Sequence, residues 1–182
     1  DLTLVDWYSL LNRGMNKLAT GNSDSHALTQ WAGQPRNLIN SAENTEESVY
    51  AALGAFDSQV TSAPVIEFTV EGAGLGKTVV PGNSGVNVVI KVRAADWVPL
   101  SKVRLVANGE TIETWDVEAS TEVVRFEFEG SYEFTEDTWL HVLAYDEQAR
   151  LYPIYPGRES LAFTQPIWID LAGNGFDPPI VD

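Results

Sequence analysis

The stretch Val86-Asn87-Val88-Val89-Ile90-Lys91-Val92-Arg93-Ala94 sets the reading of this chain. Apolar side chains at 86, 88, 90 and 92 recur at every second residue, the period of a strand with one buried face. The same period governs residues 121–129, where Val124, Phe126 and Phe128 alternate with Arg125, Glu127 and Glu129. Further runs of this kind lie at 64–71, 76–80, 102–107, 110–117, 137–145 and 161–169. Turn chemistry separates them: Gly72 to Gly76, Pro81-Gly82-Asn83-Ser84-Gly85, and Asn108-Gly109. Asn-Gly between two alternating runs is a hairpin signal, because both central positions accept a positive φ. Short strands at this regular spacing predict an Ig-like antiparallel β-sandwich over residues 63–182.

Residues 1–62 follow a different grammar. Leu4, Trp7, Tyr8 and Leu11 share helical spacing, and Gly14 stands where such a helix would stop. Asn44-Thr45-Glu46-Glu47 opens a second helix with a capping candidate and acids in the first turn. Val49, Leu53 and Phe56 mark its buried side. The fold class is therefore mixed α and β: helix and loop over 1–62, then a sandwich over 63–182.

Composition removes whole classes of function. The chain has 26 acidic residues against 11 basic ones, a net charge of −15. Most of that charge lies beyond residue 60. Such a surface repels phosphate backbones and anionic membranes, which argues against nucleic acid as a partner. Hydrophobic residues make up 44% of the chain, enough for a real core. Cys is absent, so disulfides and thiol catalysis are excluded. No apolar run approaches the roughly 20 residues of a membrane span. The acidity and the six Trp residues lean towards a secreted or periplasmic setting.

Chemistry concentrates in Gly21-Asn22-Ser23-Asp24-Ser25-His26. A carboxylate and an imidazole two residues apart in a Gly/Ser/Asn loop can turn into one space, and the pair suits Zn, Mn or Fe as divalent ions. The same spacing also arises from a capping Asp beside an exposed His. A second loop, Asp170-Leu171-Ala172-Gly173-Asn174-Gly175-Phe176-Asp177, resembles the start of a calcium site. Asp170 and Asn174 occupy the first and fifth positions, and Asp177 could add a carboxylate. Ala172 is no ligand, however, and the twelfth position is Val181 in place of Glu, so a turn closing the last strand is the competing reading. Gly72-Ala73-Gly74-Leu75-Gly76-Lys77-Thr78 lacks the spacing of a phosphate loop and reads as a hairpin loop. His141, on a strand with Trp139, Leu143 and Tyr145, reads as a core or partly exposed histidine.

Three segments in order carry a wider likeness: Asp6-Trp7-Tyr8-Ser9-Leu10-Leu11-Asn12-Arg13-Gly14, then Gly21 to His26, then Gly33-Gln34-Pro35-Arg36-Asn37. Together they resemble the PHP superfamily of metal-dependent hydrolases, in its carbaryl-hydrolase-like branch. The likeness continues through the helix to Val60-Thr61-Ser62-Ala63-Pro64 and the following strand. Weaker similarity runs through Trp97-Val98-Pro99, Val103-Arg104-Leu105-Val106-Ala107-Asn108-Gly109 and Phe163-Thr164-Gln165-Pro166-Ile167-Trp168-Ile169-Asp170. The resemblance implies a (β/α) barrel holding metal ions that activate water against a phosphoester, ester or carbamate. It makes Asp24 and His26 metal ligands. Arg36 could meet a substrate oxygen, or could pair with a nearby acid. The family's other ligands precede this Asp-x-His, and residues 1–23 contain no His. On this reading, 1–62 is the C-terminal end of the barrel, inactive without the N-terminal part of the same protein or another chain covering residues 1–60. The substrate would be a small-molecule ester. The alternative is a non-catalytic extracellular β-sandwich module for binding or structure.

Overall fold

The computed structural model describes residues 2–28, 32–82, 85–148, 151 and 157–179. Asn83 and Ser84 of the turn expected at 81–85, and Val181, lie outside the described residues. The fold is mostly β. Its order is α1 (Leu2–Asn12), β1 (Arg36–Ile39), α2 (Glu46–Gly54), β2 (Ser58–Thr61), β3 (Val65–Val70), β4 (Thr78–Val79), β5 (Val86–Arg93), β6 (Lys102–Ala107), β7 (Glu110–Asp116), β8 (Val124–Tyr132), β9 (Thr138–Tyr145), β10 (Leu161–Thr164) and β11 (Ile167–Ile169).

The strand that opened the sequence reading is the centre of the smaller sheet, β3-β5-β8. Val86, Val88, Ile90 and Val92 all point into the core, with 0–2% exposure. The larger sheet is built on β9, which pairs on one side with β6 and on the other with β10 and β11. β6 carries β7 beyond it, through the expected Asn108-Gly109 turn, where both residues have positive φ. The two sheets face each other across one core. Ile66, Phe68 and Val70 from the small sheet meet Val103, Leu105, Leu140, Val142 and Ile167 from the large one. Trp115 on β7 reaches Phe126 and Phe128 on β8, with ring centroids 5.2 and 4.6 Å apart, closing one side.

Three expectations are corrected. Residues 1–60 are not helix and loop alone: β1 and β2 pair with each other, and β2 pairs with β10. Residues on both sides of position 62 thus share one sheet. Pairing is not wholly antiparallel, since β4 runs parallel to β11. Finally, Gly72 to Gly76 is not a hairpin loop, because β3 belongs to the small sheet and β4 to the large one. The segment crosses between sheets, and Gly76 makes the crossing possible. Its φ is +74°, and a Cβ there would stand 1.9 Å from the Ala55 carbonyl oxygen.

α1 ends as the sequence implied. Gly14 has φ +71°, its N–H donates to the Leu11 carbonyl, and the Met15 N–H donates to that of Leu10. This double closure is the glycine C-cap that satisfies the last carbonyls. α2 is capped by Thr45, whose side chain accepts from the Ser48 N–H.

The apolar side of α1 lies on the outer face of the large sheet. Trp7 and Leu11 form a second core there with Val60, Val106, Trp139, Leu143, Phe163 and Trp168. Asn12 ties this helix down. Its Oδ1 accepts from Trp139 Nε1 at 2.7 Å, and its Nδ2 donates to the Asn108 carbonyl at 2.9 Å. His141 is fully enclosed here among the rings of Trp7, Tyr8 and Trp139, and shares a 2.8 Å hydrogen bond with Tyr8 Oη. Burial pushes its imidazole down to about 3, so it stays neutral. Burial likewise pushes the Tyr8 hydroxyl up, opposed by the nearby Arg104 charge.

Two outcomes follow for stability. The unfolded chain takes a proton on His141 near the ordinary value of 6.5, while the folded chain takes none until about 3. Stability contributed by the neutral ring is complete above pH 6.5 and is lost as pH falls towards 3, at up to about 1.4 kcal/mol per pH unit. Urea titrations between pH 7 and pH 5 should show this slope, and His141→Phe should flatten it. Separately, Gly76→Ala should destabilise the chain by about 2–4 kcal/mol, read from the same titrations at pH 7, because positive φ and a backbone collision act together.

Candidate functional site

The loop between α1 and β1 is built from short polar residues that have little reason to stay put. Two side-chain amides, one on a strand and one between two strands, hold it. Gln165, in the break between β10 and β11, accepts from the Ala19 N–H at 3.1 Å and donates to the Ala19 carbonyl at 2.6 Å. Asn37 on β1 does the same for Gly21, at 2.9 and 3.0 Å. Each carboxamide takes the place of a neighbouring strand, satisfying both backbone groups of one residue. Gly21 is buried, and a Cβ on it would come within 2.6 Å of Val60 Cγ1 and 3.1 Å of the Arg36 carbonyl oxygen. Glycine is therefore required by close approach.

Three residues beyond this anchor the chain turns outward. Asp24 adopts φ +48°, the left-handed conformation that Asp tolerates better than most residues. Asp24 Oδ1 and His26 Nδ1 lie 3.6 Å apart, and the two side chains are 90% and 67% exposed. The sequence-predicted pair is thus brought together, at the surface. Two donors bound at about 2.0–2.2 Å in a tetrahedral array stand roughly 3.3–3.6 Å apart, so the pair fits a shared divalent ion. Among the described residues, no group of three or more His, Asp or Glu side chains is placed to hold a metal.

The remaining candidates separate from this pair. Arg36 begins β1 opposite Thr61, with its side chain exposed. Asp170 is buried, and its carboxylate accepts from the backbone N–H groups of Gly173, Asn174 and Gly175. Asp177 is exposed, and its N–H donates to Asp137 Oδ2, while Asp137 Oδ1 accepts from Leu171. Asn174 is exposed. The 170–177 loop thus spends Asp170 and Asp137 on its own backbone, as a turn closing the last strand does.

The sequence reading missed the surroundings of the loop. Thr20, Gly21, Asn22 and Ser23 form one wall of a groove of about 1130 Å³ over the outer face of the large sheet. Thr3, Leu4, Val5 and Tyr8 of α1 form another wall. The alternation of Arg104 and Val106 on β6, and of Leu143 and Tyr145 on β9, carried the signal: both strands have a second side-chain row facing away from the sandwich core. No helix among the described residues is long and apolar enough to cross a membrane.

No family model matches the chain, and no curated protein matches it either. Among solved structures, it is similar to a crystal structure of an engineered protein from the Northeast Structural Genomics Consortium, at 16% identity and a TM-score of 0.35. The match covers 60% of this chain and 21% of that one.

Proposed function

We propose that this chain is the C-terminal part of a PHP-type metal-dependent hydrolase, in which Asp24 and His26 supply the last metal ligands. The separation of Asp24 Oδ1 from His26 Nδ1 carries the reading: 3.6 Å, on a loop fixed at Gly21 and open outward. Two protein donors are fewer than the three or more that a catalytic site needs, so the remaining ligands come from the N-terminal part of the same protein or another chain. What a divalent ion (Zn, Mn or Fe) supplies when bound is Lewis acidity towards an ester, carbamate or phosphoester oxygen and acidification of water. The residues of this chain hold and aim: Asn37 fixes Gly21, and the turn at Asp24 presents both donors to one point. The β-sandwich, Ig-like in this reading, braces the loop from beneath.

A second reading is favoured by one observation. Trp7, Leu11 and Val60 are buried against the large sheet, so the first 62 residues have a core with the sandwich. A non-catalytic extracellular module for binding or structure is consistent with that packing.

Metal titration separates the two. Calorimetry with Mn²⁺ or Zn²⁺ should give weak binding to the chain alone, abolished by Asp24→Ala and by His26→Ala. Hydrolysis of a chromogenic phosphodiester should be absent for the chain alone, should appear when the N-terminal part is co-expressed with it, and should vanish again with Asp24→Ala. Metal binding and hydrolysis unchanged by Asp24→Ala would sink the hydrolase reading. Asn37→Ala leaves both donors in place, and should weaken metal binding by about tenfold in the same titration, because it frees the loop that aims them.

A further inference from the structure

α1 covers only part of the outer face of the large sheet. It lies over Trp139 and His141, and beyond it the face opens as the groove of about 1130 Å³. Strand register lays out its floor. Arg104 stands opposite Leu143, Leu143 opposite Phe163, and Phe163 opposite Val60, with Val106 next to Arg104 along β6. This is an apolar strip edged by Arg104, and a second cation, Arg158, also lines the groove.

Arg104 makes no ion pair or hydrogen bond with any described residue. Its guanidinium carbon lies 5.0 Å from the centroid of the Tyr145 ring, which fixes its position without neutralising it. Its Nε is enclosed without an acceptor, and so is the Tyr145 hydroxyl. Asp146, Glu147 and Glu159 also line the groove, yet none of them pairs with Arg104.

We propose that this groove binds an organic monoanion, with a carboxylate on Arg104 and an apolar body against Val106, Leu143 and Phe163. The planar guanidinium fork matches the two oxygens of a carboxylate. An apolar floor gains only from a ligand with apolar surface to bury. With Asp146, Glu147 and Glu159 against Arg104 and Arg158, the lining carries more acids than bases and repels a dianion more strongly than a monoanion, which disfavours a phosphate monoester. The site borders the loop that carries Asp24 and His26, since Thr20 to Ser23 line its wall, but it needs no metal.

The test uses the full chain with phenylbutyrate as the probe, phenylbutanol as its neutral counterpart and phenyl phosphate as the dianion, followed by NMR shift titration. Phenylbutyrate should bind with a dissociation constant below about 1 mM and shift Arg104, Leu143 and Phe163. Arg104→Gln should weaken it by at least about tenfold, and Arg104→Lys by less, since the charge survives without the fork. Val5→Glu, an exposed change on the groove wall, should weaken it too and leaves the floor intact. Equal binding of phenylbutanol, no effect of Arg104→Gln in a folded variant, or no phenylbutyrate binding at 10 mM (about ten times the expected constant) would overturn the proposal. Tighter binding of phenyl phosphate would overturn the assignment to a monoanion.

Discussion

The large sheet has two apolar faces, and the sandwich core uses only one of them. Leu140, Val142 and Ala144 of β9 turn inward, while Trp139, His141 and Leu143 of the same strand turn outward. A face carrying two tryptophans and a phenylalanine cannot stay in water without a large hydrophobic cost. Covering it recruits α1, and that fixes where the following loop must run. The position of Asp24 and His26 is therefore a consequence of how the other side of the sandwich is sealed.

That coverage is incomplete, and the gap has a chemical character. Where α1 lies, Trp139 Nε1 is matched to Asn12 and His141 Nε2 to Tyr8, although His141 Nδ1 and Trp168 Nε1 are buried without a partner. Where it does not lie, Arg104 and Tyr145 keep unpartnered atoms beside the open groove. Tyr8 belongs to both regions, since it bonds His141 and lines the groove. The buried aromatic cluster and the open site thus share a wall.

Much of the sandwich was legible because a half-buried strand must alternate, as 86–93 and 124–132 do. The elements that escaped notice had a physical reason to do so. β2 reads Ser58-Gln59-Val60-Thr61, a polar tetrapeptide, yet every residue in it is buried. It is tolerated because its larger polar side chains are internally paired, leaving only the Ser58 hydroxyl without a partner: Gln59 exchanges two 2.8 Å bonds with the backbone of Ile66, and Thr61 donates to the Pro64 carbonyl. Hydrophobic patterning cannot reveal a strand stabilised in this way. β10 and β11 read as one run at 161–169, and Gln165-Pro166 splits them, because that Gln side chain is committed to Ala19. The Asp-x-His pair was visible as a motif. The groove beside it was not, since its walls come from residues far apart in sequence.

Gln59, Asn37 and Gln165 form a common device, each binding both backbone groups of one distant residue. All three are uncharged. In a chain this acidic, a loop fastened by ion pairs would loosen as salt screened them or as acids took up protons. A loop fastened by neutral amides is insulated from both. The anchor at Gly21 therefore holds the position of the loop beyond it without drawing on any charge, so the scaffold and the exposed residues it presents respond to different variables.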